Sequence, residues 1–238
     1  MTRFKRTLRK ATWLSLPLGL LAIVALWRPD VLRSEDVEFP APFLSEQAPR
    51  PAGWAQPLDE SFRFYALSPT LYRSALPEAT DVTELRERGI HTVINFYQQS
   101  DTSWLNDDRI TQMHIPLRGE RVTDTEVISV LRAIRQGEQR GGVLVHCKHG
   151  QNRTGLITAM YRIVYDGWSR EEAMGEMLEG GFGKADRMGD AVDYLNRVNV
   201  RAVKLAIAIG NCSTNPLAWC RLRSWLPGEE LVPSHFSG

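Results

Sequence analysis

The stretch Val143 to Gly155, VLVHCKHGQNRTG, limits what this chain can fold into more than any other. Val143, Leu144 and Val145 form a short apolar run of the kind that makes a buried strand. His146 and Cys147 follow, then a loop carrying Gly150, then Arg153-Thr154-Gly155. Beyond the loop, Leu156, Met160, Ile163 and Val164 recur at helical spacing. Strand, loop and helix in that order gather backbone N–H groups and the positive end of a helix dipole around one point. That point is an anion site, and a cysteine opens it.

The residue types suggest the chemistry. A thiol at the start of an N–H-lined loop ionises easily, and such cysteines fall from about 8.5 to roughly 3.5–7.5 in pKa. Arg153 lies six residues after Cys147, and its planar fork can grip two phosphoryl oxygens at once, as a lysine cannot. A thiolate facing a bound phosphate implies attack on phosphorus, a cysteinyl-phosphate intermediate and hydrolysis by water. Thr154 is placed to donate its hydroxyl to the departing sulfur. Gly150 and Gly155 suit positions of positive φ or close packing.

His146-Cys147, five residues, then Arg153-Thr154-Gly155 resembles the phosphate-binding loop of cysteine-based protein tyrosine and dual-specificity phosphatases. Further segments share the likeness: LSPTLYRSALP at 67–77, HTVINF at 91–96, AMYRIVYDGWS at 159–169, GGFG at 180–183 and the paired C-terminal cysteines. Together they resemble bacterial periplasmic tyrosine phosphatases of the TpbA type, from about residue 55 to about residue 225. The resemblance implies a small α/β phosphatase domain, its central sheet flanked by helices. It implies a phosphorylated protein as partner and no metal or organic cofactor.

Simpler readings compete. Cys147 read as a buried structural thiol leaves the rest of the loop unexplained. His146, Cys147 and His149 read as metal ligands lack a further cluster to complete a four-ligand set. His146 is better read as orienting the loop by hydrogen bonds. Lys148, His149 and Gln151 are expected to face outward at the pocket mouth; with Gly150, Asn152 and Thr154 they make up the expected substrate-binding set.

The N-terminus is distinctive. Arg3, Lys5, Arg6, Arg9 and Lys10 precede an apolar run at 11–27 that ends at Arg28-Pro29-Asp30. Basic then apolar is the pattern of a signal peptide or signal anchor. No clean small-residue cleavage site follows, so an uncleaved single-pass anchor in the inner membrane is expected, with 1–10 in the cytoplasm and the catalytic domain in the periplasm; a cleaved signal, leaving a periplasmic protein, is the alternative. Residues 28–58 hold Pro29, Pro40, Pro42, Pro49, Pro51 and Pro57 with little periodicity and read as a tether or a loosely docked extension. The formal net charge of +1 excludes a nucleic-acid partner. The domain is expected to act as a monomer.

The phosphatase domain is assigned to 59–205 and a C-terminal extension to 206–238. Short strands are expected at Phe62–Ala66 and Thr70–Tyr72, and buried or alternating ones at His91–Phe96 and Thr111–Leu117. Helices are expected at Ala79–Arg88, stopped by Gly89, at Ser169–Leu178 and at Arg187–Val198. The helix Thr123–Gln136 is the best marked: Thr123 and Glu126 offer a capping box, and Val127, Val130, Leu131 and Ile134 share a face. Strands alternating with helices indicate an α/β domain with a mixed or parallel sheet. Of three cysteines, Cys147 must stay reduced, which leaves Cys212 and Cys220 as a disulfide pair or as two buried thiols.

Phosphate-ester hydrolysis needs a proton for the leaving oxygen. In the resembled family an aspartate supplies it from the loop after the strand that here ends at Leu117. The matching position holds Glu120, in Arg118-Gly119-Glu120-Arg121, with one methylene more. Asp124 is the rival, although a first-turn carboxylate on the next helix has its own reason to be there. Arg118 and Arg121 flank Glu120, while Arg73 reads as structural and Lys184 as a candidate for the pocket rim. The expected activity is phosphotyrosine hydrolysis in proteins, with dual specificity allowed. An inositol polyphosphate or phosphoinositide phosphatase is the second reading. Sulfur transfer and a phosphoprotein-binding module without turnover are the alternatives from other classes.

Overall fold

The computed structural model describes residues 50–218. The expected cytoplasmic segment, the anchor at 11–27, the tether up to residue 49 and Cys220 lie outside the described residues. Among the described residues no helix is long and apolar enough to cross a membrane. Cys147 is a free thiol and Cys212 is not; the pairing expected for Cys212 involves a residue outside the described set.

Six strands form one mixed sheet in the order β1-β2-β3-β6-β4-β5. They are β1 Gln56–Asp59, β2 Phe64–Ala66, β3 Leu71–Ser74, β4 Ile90–Asn95, β5 Thr111–His114 and β6 Gly142–His146. The first three are antiparallel neighbours, while β3, β6, β4 and β5 run parallel. β6 is central and buried throughout, which is why its sequence is a continuous apolar run. Val143 and Val145 point into one core and Leu144 into the other, as strand alternation requires. Ser74 of β3 and Asn95 of β4 both pair with His146. Three parallel strands therefore end level with each other where the loop begins, the usual place for a ligand in such a sheet.

The helices are α1 Val82–Glu87, α2 Asp124–Glu138, α3 Asn152–Tyr161, α4 Arg170–Glu179, α5 Gly189–Arg197 and α6 Val200–Ala208. The core on the α2 and α3 face also takes in residues of α4, α5 and α6. The smaller core on the other face joins Leu85 of α1 to Phe62, Phe64 and Trp104. The capping box of Thr123 and Glu126 forms, and so does one between Ser169 and Glu172. From Thr154 onward α3 is buried all round, so its sequence shows no polar face. It runs into a π turn, Arg162–Asp166, closed by Gly167 at φ 77°.

Two elements depart from expectation. Residues 50–58, assigned to the tether by their prolines, belong to the folded domain. Pro57 sits in edge strand β1, where a missing N–H is tolerated. The Ala55 N–H donates to Glu176 (2.6 Å) and Arg50 donates to the Gly180 carbonyl (2.9 Å). The α6 helix extends the domain beyond residue 205, with Val203 and Ala206 buried.

Candidate active site

The loop after β6 turns its carbonyls outward. The Lys148 oxygen accepts from Leu76 N–H (3.3 Å), the His149 oxygen from Arg63 Nε (3.1 Å) and the Gly150 oxygen from Arg73 Nη2 (2.7 Å). Among the described residues all peptide bonds are trans, so each N–H points opposite to the carbonyl of its own peptide unit. The N–H groups of His149, Gly150 and Gln151 therefore face the other way, toward a common centre. None of the N–H groups from Cys147 to Gln151 donates to a described residue. The first turn of α3 adds its own unsatisfied donors. Gly150 sits at φ 65°, and a Cβ there would come within 2.6 Å of the Ser74 carbonyl oxygen, so a side chain is excluded by conformation and by space.

Cys147 opens this cradle and is 2% exposed. Behind it, fully buried His146 meets Asp101 through Nε2 at 2.9 Å. The other oxygen of Asp101 accepts from Asn95 and from the Trp104 indole, each at 2.8 Å. His146 is held from a partner far away in sequence rather than bonded to the loop, and its Nδ1 is buried without a hydrogen-bond partner. Arg153 donates to the Phe96 carbonyl (3.0 Å), and its guanidinium lies 5.7 Å from the centre of the Tyr97 ring. One nitrogen is fixed and the rest of the fork is left for an anion. The Thr154 hydroxyl is buried without a hydrogen-bond partner.

The expected substrate-contacting residues divide. Lys148 and His149 are exposed, and His149 lines the cleft in front of the loop. Burial, and then the charges of Lys148, Arg187, Arg63 and Arg153, push the His149 pKa below its ordinary value. Gln151 does not face outward. It is buried with its amide against Gly183, where a Cβ would overlap it. Asn152 lines the cleft but its amide is engaged, donating to Asp190 (2.8 Å) and accepting from Ala191 N–H (2.9 Å). It fastens the start of α3 to α5.

The two carboxylates separate clearly. Glu120 lies on a 3₁₀ turn, Gly119–Arg121, and lines the same cleft of about 520 Å³ as Arg153. Its side chain is 62% exposed, with Arg121 at 3.8 Å as its ion-pair neighbour. Asp124 accepts from the Tyr194 hydroxyl (2.8 Å) and the Thr214 hydroxyl (2.7 Å). Both of its oxygens serve the packing of α2. Glu120 alone of the pair has a carboxylate free to meet a leaving group.

Sequence reasoning missed Arg187, which lines the cleft just beyond the Lys184 it had singled out. It also missed Asp101 and Arg63, which act through contacts that no local pattern encodes. The loop N–H groups without a described acceptor follow Cys147, and the Arg153 guanidinium and the Glu120 carboxylate line one cleft. Such a set of groups is chemically suited to holding a tetrahedral anion.

Comparison with known proteins agrees. The dual specificity phosphatase catalytic domain matches residues 71–189. Dual specificity protein phosphatase TpbA from two strains of Pseudomonas aeruginosa, UCBPP-PA14 and PAO1, is 46% identical over 179 residues, 75% of this chain and 82% of the relative. The crystal structure of P. aeruginosa TpbA is similar with a TM-score of 0.65, covering 66% of this chain and 98% of that one at 46% identity. A Cys-to-Ser form of P. aeruginosa TpbA in complex with pTyr is equally similar, at 46% identity and TM-score 0.65, covering 67% and 98%.

Proposed function

The chain belongs to the dual specificity phosphatase family and is a cysteine-dependent phosphatase; from that premise we propose that its substrate is phosphotyrosine in proteins and that the cradle after β6 is its active site. The observation that carries the reading is the set of loop N–H groups with no acceptor among the described residues, following a cysteine. The pTyr complex of a relative at 46% identity supports the substrate class.

In this reading the Cys147 thiolate attacks phosphorus while the phosphoryl oxygens rest on the loop N–H groups and Arg153. The bond to the tyrosyl oxygen breaks and Glu120 gives that oxygen its proton. Glutamate then takes a proton from water, which attacks the cysteinyl phosphate. The sulfur leaves as thiolate, accepting a hydrogen bond from Thr154, and inorganic phosphate is released. The basic N-terminus before the apolar run supports a signal anchor at 11–27 with this domain in the periplasm.

A second reading, a small molecule bearing several phosphates, is favoured by Arg118 and Arg187. Both line the cleft and have no carboxylate partner among the described residues. The test is phosphate release from phosphotyrosine peptide, phosphoserine peptide and inositol hexakisphosphate, with Cys147→Ser as control. Turnover of the tyrosine peptide, lost in the serine variant, is expected. Turnover confined to the inositol compound would move the substrate class, and none at all would overturn the reading.

A further inference from the structure

The outward carbonyls of the phosphate loop are held by groups outside the sequence motif, and one of these holders is unusual. Arg73, on β3, is 1% exposed. Its guanidinium donates to the Gly150 carbonyl (2.7 Å) and to the Thr158 hydroxyl (3.1 Å), and it lies 3.5 Å from the centre of the Phe182 ring. Its described partners include no carboxylate within ion-pair distance. Burying a cation without an ion-pair partner is costly, and burial holds the Arg73 pKa down to about 10. The charges that offset burial are first Glu176 and then Cys147.

We propose that Arg73 is a positioning residue of the phosphatase reaction: through the Gly150 carbonyl it keeps the loop N–H groups turned to the cleft, where they receive the phosphoryl oxygens. The inference rests on Cys147 being the nucleophile. Without the Arg73 fork, the Gly150 peptide loses its acceptor contact and is free to rotate, which would point an oxygen instead of an N–H at a bound phosphate.

An arginine that only filled space would change stability and leave phosphate binding alone. The experiment uses the full chain and the variants Arg73→Met, Arg73→Lys and Thr158→Val. The rate of Cys147 alkylation by iodoacetamide is followed with and without inorganic phosphate, beside kcat and KM on phosphotyrosine peptide. In R73M protection by phosphate is expected to weaken, with kcat/KM down at least about tenfold. R73K keeps the charge and loses the fork, so its protection by phosphate weakens too; in T158V it weakens less. R73K with undiminished phosphate protection overturns the proposal, and does so even if R73M fails to fold. Full activity of the parent after alkylation at Cys147 would instead sink the nucleophile assignment, whatever Arg73 does.

Discussion

The two sides of the cleft are built on opposite plans. On one side, Lys148, His149 and Gly150 each have the carbonyl fixed by a donor from another segment, and Arg153 is anchored to Phe96. On the other side, Glu120 sits on a short 3₁₀ turn with an exposed carboxylate and a single arginine nearby at 3.8 Å. In the proposed reaction, phosphate recognition is preorganised and proton delivery is not. A rigid cradle lowers the barrier for attack without reorganisation. A loosely held acid can adjust to leaving groups of different shape, including one reached from a methylene further back.

Predictions that test this contrast fall in a clear order. Cys147→Ser should lower phosphate release about 10⁴-fold or more while phosphotyrosine peptide still binds, as calorimetry would show. Glu120→Gln should cost about 10²–10⁴ in kcat on phosphotyrosine peptide and far less on a nitrophenyl phosphate, whose leaving group needs no proton. An equal loss on both would mean Glu120 belongs to the binding side. Arg153→Lys should cost on the order of 10² in kcat/KM, with both substrates affected alike. Asp124→Ala should leave turnover intact but destabilise the fold by about 1–3 kcal/mol, read from the urea midpoint, because two hydroxyl donors lose their acceptor.

The smallest effect concerns His149. Its folded pKa lies below the unfolded one, so the unfolded chain binds more protons as pH falls through that window. Stability is therefore lost on acidification below about 6.5. His149→Gln should flatten that slope in pH-dependent melting, while a slope that persists would have to come from other groups.

Much of this was legible from the sequence because it is encoded locally. The β6 run, the glycine at positive φ and the capping box on α2 each declare themselves within a few residues. Glu120 is reached by counting from the cysteine, and the structure engages both oxygens of its rival Asp124. Asp101, Arg63 and the engagement of Asn152 by Asp190 were not legible, because each depends on which segments the fold brings together. Gln151 was misread because a polar loop residue looks solvated until Gly183 is seen to make room for it. The extent of the tether was misread for the related reason that prolines mark loops and edge strands alike.

That last point has a mechanical consequence. The Glu176 carboxylate holds both Ala55 N–H and Arg162, and Arg162 in turn donates to the Gly53 carbonyl. Residues docked this way are withdrawn from the leash between domain and proposed anchor. Counted from 28 to 58 a leash would have 31 residues and a limiting length of about 105 Å; counted from 28 to 49 it would have 22, or about 75 Å. On the proposal that 11–27 anchors the chain in a membrane, the volume open to the enzyme would scale with the cube of that radius. Docking the last nine residues would then cut it by more than half and raise the effective concentration of the domain near the membrane surface in proportion.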